Sequence, residues 1–221
     1  MTFAAILFDL DGTILDTTPL ILSSLRYATG TTLGRVPEDS LLLANFGRPL
    51  EDSLRALAPE LDEVRFQNFL QCYLDHNWEA HDRLVALVPG VEGVLRELSA
   101  AGVPLAVVTS KRRDLALRGL DHFGLGGFFK TVVAREDTQI HKPDPEPVRE
   151  GIRRLGADAS RSLYIGDSPF DMRSGRGAGC HAWGIIHNTF SASDLVEAGA
   201  ERVAFRGWSQ IGDWLGTNSL Q

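Results

Sequence analysis

The feature that most constrains the fold is a recurring alternation of short apolar runs with longer helix-compatible stretches. Runs rich in β-branched and aromatic residues predict buried strands at 4–8, 104–110, 131–134, 162–166 and 181–186, with a short edge strand at 201–205. Helices are expected at about 91–101, 112–122, 145–155, 169–178 and 208–215. Near-continuous apolar strands alternating with helices are typical of parallel sheets. We therefore expect an α/β protein with a doubly wound parallel sheet and a Rossmann-like core.

Residues 17–86 interrupt this alternation, because they contain no convincing strand. Helix starts are expected near Pro19 and Pro37, and further helices near 50–58 and 61–80. An all-helical stretch of this length after the first strand predicts a separate small domain. We expect residues 1–16 and 87–221 to form the α/β core and residues 17–86 to form the helical domain.

Charge and hydropathy narrow the functional classes. No apolar stretch approaches the ~20 residues of a membrane helix, and the N-terminus lacks the pattern of a secretory signal. Cys72 and Cys180 lie far apart without metal-ligand spacing, which favours reduced thiols in a cytoplasmic protein. A net charge of −7 without a basic block argues against nucleic acid or membrane partners. An anionic substrate would need positive charge supplied locally.

Two carboxylates follow the first predicted strand, in the stretch FDLDGT. Residues i and i+2 of a strand face the same side, so Asp9 and Asp11 are expected to project together at the edge where open α/β sheets bind ligands. Charges this close resist joint ionisation unless a cation neutralises them or one carboxylate keeps its proton. Carboxylate oxygens suit Mg²⁺, and Gly12 permits close backbone approach to an anion.

Further polar clusters follow the later predicted strands. VVTSK places Thr109 and Ser110 after the second strand, and HKPDPEP places Lys142 on a proline-rich loop. YIGDSPFD places Asp167 and Asp171 behind another apolar run. On a parallel sheet these side chains would converge at one edge. Carboxylates for a cation, a hydroxyl donor and a lysine together describe a site for a Mg²⁺-bound phosphoryl group.

The ordered set of DxDGT, a strand ending in Thr, Lys-Pro and GDxxxD resembles the haloacid dehalogenase superfamily of phosphatases over nearly the whole chain. The stretches NFGRPLEDS and YLDHNWEAHDRLVALVPGV are similar to its phosphoglycolate phosphatase and small pyrophosphatase branch. The resemblance implies that the helical insert is a cap domain. It also implies Mg²⁺ as the cofactor and a small phosphorylated metabolite as the substrate.

The resemblance implies separate roles for the first two carboxylates. Asp9 matches the nucleophile that becomes an aspartyl phosphate. Asp11 matches the general acid that protonates the leaving oxygen and then activates water, and its backbone carbonyl would be a metal contact. A carboxyl group at position 11 argues against dehalogenase chemistry, because a halide leaves without protonation.

The remaining motif positions also carry implied roles. Thr109 matches the phosphate-binding hydroxyl, with Ser110 beside it. Lys142 matches the residue that steadies the nucleophile and the phosphate. Asp167 matches the direct Mg²⁺ ligand, and Asp171 matches a second acidic position behind it.

Two assignments stay open at this point. Arg48, in FGRP, is either a residue that holds a substrate carboxylate or second phosphate, or a surface arginine beside a turn. Lys111 and Arg112 either add positive potential or occupy the surface at a helix start.

The sequence thus predicts a Mg²⁺-dependent phosphohydrolase that acts on a small phosphomonoester, with phosphoglycolate as the leading substrate. Inorganic pyrophosphatase and sugar phosphomutase are the alternatives within the same superfamily. A phosphate- or metal-binding regulatory module without turnover is the alternative from a different class. The oligomeric state stays open.

Overall fold

The structure, a computed structural model, describes residues 3–43, 50–187 and 189–217. Contacts divide the chain into two compact units, Met1–Asp16 with Leu87–Gln221, and Thr17–Ala86. The strands are β1 (Ala5–Phe8), β2 (Leu15–Asp16), β3 (Ala86–Leu87), β4 (Leu105–Val108), β5 (Thr131–Val133), β6 (Ser162–Gly166), β7 (His181–Ile185) and β8 (Arg202–Ala204). The helices are α1 (Thr18–Leu33), α2 (Asp39–Leu43), α3 (Leu50–Leu57), α4 (Glu63–Leu84), α5 (Val91–Ala100), α6 (Arg113–His122), α7 (Glu146–Leu155), α8 (Pro169–Gly177), α9 (Ala192–Glu197) and α10 (Trp208–Leu215). Short 3₁₀ turns lie at Gly126–Phe128, Arg135–Asp137 and Ala159–Arg161.

Six parallel strands form the main sheet, in the order β5-β4-β1-β6-β7-β8. Every residue of β1, β4 and β6 is buried, as expected for parallel strands covered on both faces. The predicted doubly wound parallel sheet is confirmed. The strand order reverses at β1, because β4 and β6 lie on its two sides. The carboxyl end of β1 is therefore where a sheet of this kind binds ligands.

Among its described residues, the Thr17–Ala86 unit contains the helices α1 to α4, joined by short non-helical segments, and β3 begins at its last residue. Helix α4 begins after Asp62, whose carboxylate accepts a hydrogen bond from the backbone N–H of Arg65 at 2.9 Å. Buried residues of α1, α3 and α4 pack into one apolar cluster that includes Leu25, Leu54 and Phe69. Helix α4 extends to Leu84, four residues beyond the predicted end at 80, because extended backbone begins only at Val85.

The last described helix anchors the loop that follows β1. The indole of Trp208 is fully buried, and its Nε1 donates a hydrogen bond to the backbone carbonyl of Thr13 at 2.7 Å. Its ring also lies 5.7 Å from the ring of Phe8, measured between centroids. This indole therefore fixes the backbone just beyond Asp11. Among the described residues, no helix combines the length and apolar character that a membrane span requires.

Candidate active site

Asp9 lies at the carboxyl end of β1, directly after the last strand residue. Its backbone N–H donates to the carbonyl of Ile165 at 2.9 Å, so β6 fixes the position of its backbone. Its carboxylate is largely buried, and Oδ1 accepts a hydrogen bond from Nζ of Lys142 at 2.7 Å. The first carboxylate of the chain therefore faces an ammonium group from a loop more than a hundred residues away.

Lys142 is buried among oxygen acceptors. Besides Asp9, its Nζ donates to Oδ1 of Asp171 at 2.6 Å and to the hydroxyl of Tyr164 at 3.2 Å. It reaches them from the loop before α7, in which the Lys142–Pro143 bond is cis. Burial acts to lower the pKa of Lys142, but attraction to Asp171 and Asp9 outweighs it and raises the pKa well above its usual value. The lysine therefore stays charged.

Asp9, Asp167 and Asp171 form a buried cluster whose ligand oxygens lie within 4.8 Å of one another. Burial and repulsion from Asp171 raise the pKa of Asp9 to about 7, against the opposing attraction of Lys142. Burial, followed by repulsion from Asp171 and Asp9, also raises the pKa of Asp167 well above its usual value. Three carboxylates face one ammonium group, so full ionisation leaves two negative charges uncompensated. A divalent cation fits this deficit, and Mg²⁺ prefers such oxygen donors.

Asp167 packs directly against the loop after β1. Gly12 has a φ of +78°, and a Cβ at this position would overlap the carboxylate of Asp167. The hydroxyl of Thr13 also lies 3.4 Å from Oδ1 of Asp167. Gly12 is therefore explained by the close approach of a carboxylate from the same chain, a neighbour that the sequence did not reveal.

Asp171 has both carboxylate oxygens occupied by donors. Oδ1 accepts from Lys142, and the hydroxyl of Tyr164 lies 3.1 Å from the same oxygen. Oδ2 accepts from the hydroxyl of Ser168 at 2.6 Å and from its backbone N–H at 3.1 Å. Ser168 and Asp171 form a capping box at the start of α8, and a Cβ at Gly166 would overlap Asp171. The surrounding donors thus fix this carboxylate behind Lys142.

Asp11 takes a different hydrogen-bond partner from Asp9. Strand β1 ends at Phe8, so strand alternation does not extend to residue 11. Oδ1 of Asp11 accepts a hydrogen bond from Nζ of Lys111 at 2.8 Å, and the carboxylate cluster contains Asp171 in place of Asp11. The two carboxylates of FDLDGT are therefore paired with two separate lysines.

Thr109 and Ser110 follow β4, the strand beside β1. Thr109 is buried, and its Oγ1 accepts from the backbone N–H of Lys111 at 3.1 Å. The Ser110 hydroxyl is buried and has no hydrogen-bond partner within the described part of the chain. A buried hydroxyl without a partner is costly, so it indicates a site where another polar group binds.

Two other residues considered in the sequence fall elsewhere. Arg48 lies outside the described residues. The side chain of Arg112 is 42% exposed and pairs with Asp114 at 2.7 Å, which corresponds to the surface interpretation of that position.

Sequence reasoning did not identify Tyr164 or Ser168. The Tyr164 hydroxyl is fully buried and lies 3.0 Å from the carbonyl of Val108, besides its contacts with Lys142 and Asp171. A tyrosine in an otherwise aliphatic buried strand is the signal that was available for this position. For Ser168, the signal was the Ser-x-x-Asp spacing of a capping box.

The family model of the haloacid dehalogenase-like hydrolases matches residues 6–185. The chain belongs to this family and is an enzyme of the phosphatase class. It is 38% identical over 192 residues to the pyrophosphatase PpaX of Bacillus velezensis, covering 86% of this chain and 87% of that protein. It is 36% identical over 179 residues to the pyrophosphatase PpaX of Halalkalibacterium halodurans, covering 81% of each chain. Among solved structures, a predicted phosphoglycolate phosphatase from Haemophilus somnus superposes with a TM-score of 0.90 at 23% identity, covering 97% of this chain and 98% of that one.

Proposed function

We propose that this enzyme is a Mg²⁺-dependent phosphohydrolase that forms an aspartyl phosphate on Asp9. The observation that carries the proposal is the contact of Asp9 with a buried, charged Lys142 inside a cluster of three carboxylates. This cluster lies at the reversal point of the parallel sheet, where ligands bind in such folds. A fixed positive charge beside a carboxylate nucleophile is suited to stabilising the charge that develops on a phosphoryl group.

We assign Mg²⁺ binding to Asp9, Asp167 and the backbone carbonyl of Asp11. The charge deficit of the cluster and the raised pKa values of Asp9 and Asp167 support a divalent cation. Asp171 is assigned to holding Lys142, because its oxygens already accept from Lys142 and Ser168. When bound, the ion supplies positive charge that favours ionised carboxylates and offsets the charge of the phosphoryl oxygens.

The proposed reaction has two steps. The Asp9 carboxylate attacks phosphorus while Asp11 gives its proton to the leaving oxygen. Asp11 then takes a proton from water, whose oxygen attacks the phosphorus, releases inorganic phosphate and restores Asp9. The hydroxyls of Thr109 and Ser110 bind the phosphoryl oxygens, a role that the unpartnered Ser110 hydroxyl supports.

Inorganic pyrophosphate is the first candidate substrate, and phosphoglycolate is the second. Relatives named pyrophosphatase are 36–38% identical to the chain over most of their length. The neighbour named phosphoglycolate phosphatase is 23% identical, which supports a shared fold. This comparison reverses the order of substrates that the sequence alone favoured. The proposal includes a cytoplasmic setting, which the unlinked Cys72 and Cys180 support.

A phosphate-release assay tests the proposal. The purified protein is given pyrophosphate, phosphoglycolate or glucose 1-phosphate, in Mg²⁺ or in excess EDTA, with Asp9→Asn as the control variant. We expect Mg²⁺-dependent phosphate release from at least one substrate and none from Asp9→Asn. Turnover in EDTA would contradict the metal assignment. Binding without any turnover would indicate a regulatory module, and formation of glucose 6-phosphate would indicate a mutase.

Asp11→Asn tests the role of the general acid. An alkyl leaving group needs protonation, so phosphoenzyme formation from phosphoglycolate should slow by about 10²–10⁴-fold. The leaving group of p-nitrophenyl phosphate needs little protonation, so that substrate should still form phosphoenzyme in a burst. Rapid mixing and quenching measures both rates. Equal slowing with the two substrates would show that Asp11 is not the acid.

A further inference from the structure

Lys111 is a largely buried cation to which the proposed reaction gives no role. Its side chain is 9% exposed, and its Nζ donates to Oδ1 of Asp11 at 2.8 Å. Its backbone is fixed at both ends, because its N–H donates to Oγ1 of Thr109 and its carbonyl accepts from Arg135 at 3.0 Å. Burying an ammonium group is costly, so a lysine held in this way is expected to have a specific anionic partner.

The position of Lys111 differs from that of Lys142 in a way that matters for a substrate. Lys142 contacts Asp9 and lies on the side of the nucleophile. Lys111 contacts Asp11, whose carboxyl group must touch the leaving oxygen if it is the general acid. The 2.8 Å contact with Oδ1, the width of the carboxyl group and a hydrogen bond from Asp11 to the leaving oxygen together place the ammonium group of Lys111 within roughly 8 Å of that oxygen. It therefore lies on the side of the leaving group.

An ammonium group in that place finds no anionic partner in a neutral alcohol leaving group. It can pair with a leaving group that carries its own negative charge. Inorganic phosphate, released from pyrophosphate, and glycolate, released from phosphoglycolate, both carry such a charge beside the leaving oxygen. Their anionic oxygens offer Nζ a second acceptor when Asp11 turns to the leaving oxygen. The positive charge of the ammonium group is therefore compensated whether it pairs with Asp11 or with the leaving group.

We propose that Lys111 is a specificity-determining residue that selects phosphoryl donors whose leaving group is itself an anion. The inference rests on the proposed function, because it uses Asp11 as the group that contacts the leaving oxygen. It deepens that function by naming the substrate class as compounds with a second anionic group beside the scissile bond. Lys111 makes no covalent bond in this scheme and donates hydrogen bonds from Nζ.

Matched substrates test the inference. Phosphoglycolate and 2-hydroxyethyl phosphate differ in whether a carboxylate or a neutral hydroxymethyl group lies beside the leaving oxygen. Pyrophosphate and p-nitrophenyl phosphate give a second charged and neutral pair. The variants are Lys111→Met, which removes the charge, Lys111→Arg, which keeps it, and Lys130→Met as the control at an exposed lysine.

The readout is the ratio of kcat/KM for the charged substrate to kcat/KM for its neutral counterpart. In Lys111→Met we expect this ratio to fall by about 10–100-fold, the loss of one charge-assisted contact. We expect Lys111→Arg to keep most of the ratio and Lys130→Met to keep all of it. A Lys111→Met variant that loses activity equally on charged and neutral substrates would overturn the inference, because it would show that Lys111 only supports Asp11.

A binding measurement tests the inference for variants whose turnover is too slow for kcat/KM to be measured. Methylenediphosphonate, which resists hydrolysis, is titrated calorimetrically in Mg²⁺ and compared with inorganic phosphate. We expect Lys111→Met to weaken diphosphonate binding about tenfold more than phosphate binding, and equal weakening would overturn the inference. If the wild-type protein hydrolyses no substrate but still shows this difference, the proposed function fails while the anion contact of Lys111 stands.

Discussion

Two segments of the core each present a pair of carboxylates after a buried parallel strand. The carboxylates of the two segments differ in their hydrogen-bond partners. In the β1 loop (residues 9–13), Asp9 pairs with Lys142 and Asp11 pairs with Lys111. In the β6 turn (residues 167–171), Asp167 and Asp171 are both buried, and donors occupy both oxygens of Asp171.

This difference separates reacting groups from positioning groups. A carboxylate whose oxygens are all engaged by fixed donors can hold a neighbour but has little capacity left to attack or to transfer a proton. The β1 loop therefore presents the groups proposed to react. The β6 turn supplies Asp167 for the metal and Asp171 for Lys142. Three substitution experiments and one measurement of stability against pH test this division, from the largest expected effect to the smallest.

Asp9→Asn and Asp171→Asn should fail in different ways. Without its nucleophile, Asp9→Asn should lose about 10⁴-fold or more in kcat, with the fold intact. Asp171→Asn leaves Lys142 with one fewer buried anion, so in saturating Mg²⁺ it should lose about 3–5 kcal/mol of unfolding free energy and retain measurable turnover. Steady-state kinetics and denaturant unfolding measure the two effects. The division between the segments is wrong if Asp9→Asn is the less stable variant and Asp171→Asn the less active one.

Metal-free protein should lose stability as the pH rises. The pKa of Asp9 is about 7 in the folded protein against an ordinary 3.8, so the folded state binds the extra proton between these values. The extra proton on Asp9 contributes on the order of 4 kcal/mol at most to the free energy of unfolding. This contribution is fully present below about pH 4 and is lost as the pH rises through 7. Melting temperatures in EDTA should therefore fall over this window more steeply for the wild type than for Asp9→Asn. Mg²⁺ should raise the melting temperature more as the pH rises. A smaller increase at higher pH would contradict burial and repulsion from Asp171 as the cause of the raised pKa of Asp9.

Alanine at Gly12 or Gly166 displaces one carboxylate of the β6 turn at a time. Gly12→Ala forces Asp167 away, so the Mg²⁺ concentration for half-maximal activity should rise about tenfold, on the scale of one disturbed metal contact. Gly166→Ala displaces Asp171 and should lower kcat while the Mg²⁺ requirement changes little.

Matched controls separate these effects from backbone strain. Gly102 also has a positive φ, +73°, but a Cβ there meets nothing within 4 Å, so Gly102→Ala reports the strain alone. For Gly166, which has no positive φ, the control is Gly93→Ala, because a Cβ at Gly93 also meets nothing within 4 Å and displaces no neighbour. If Gly102→Ala raises the Mg²⁺ requirement as much as Gly12→Ala, the close approach of Asp167 is not the reason for glycine at position 12.

Tyr164→Phe should give the smallest effect. It removes one of the acceptors around Nζ of Lys142 and leaves the two carboxylates in place. We expect kcat to fall about 3–10-fold with KM nearly unchanged, and stability to fall by about 1 kcal/mol. A changed KM without a changed kcat would show that the hydroxyl acts on substrate binding instead of on Lys142.

The sequence by itself determined the α/β core and the order in which its polar groups occur. Apolar runs of strand length alternate with helices, and parallel strands bring the residues that follow them to one edge. Strand β6 falls at 162–166 and helix α10 at 208–215, as predicted, because apolar pattern and turn residues mark both. The motif residues Asp9, Thr109, Lys142 and Asp167 were therefore identifiable from local pattern and resemblance.

Only the tertiary structure decided which groups pair. Lys111 and Asp11 are 100 positions apart, and Lys142 and Asp171 are 29 apart, so no local spacing links them. Strand β1 ends at Phe8, so the alternation of strand residues does not by itself fix the directions of Asp9 and Asp11. The direction of a side chain in a loop depends on backbone torsions and on the neighbours that pack against it. For that reason the structure, and not the spacing, assigned Asp9 and Asp11 to different lysines.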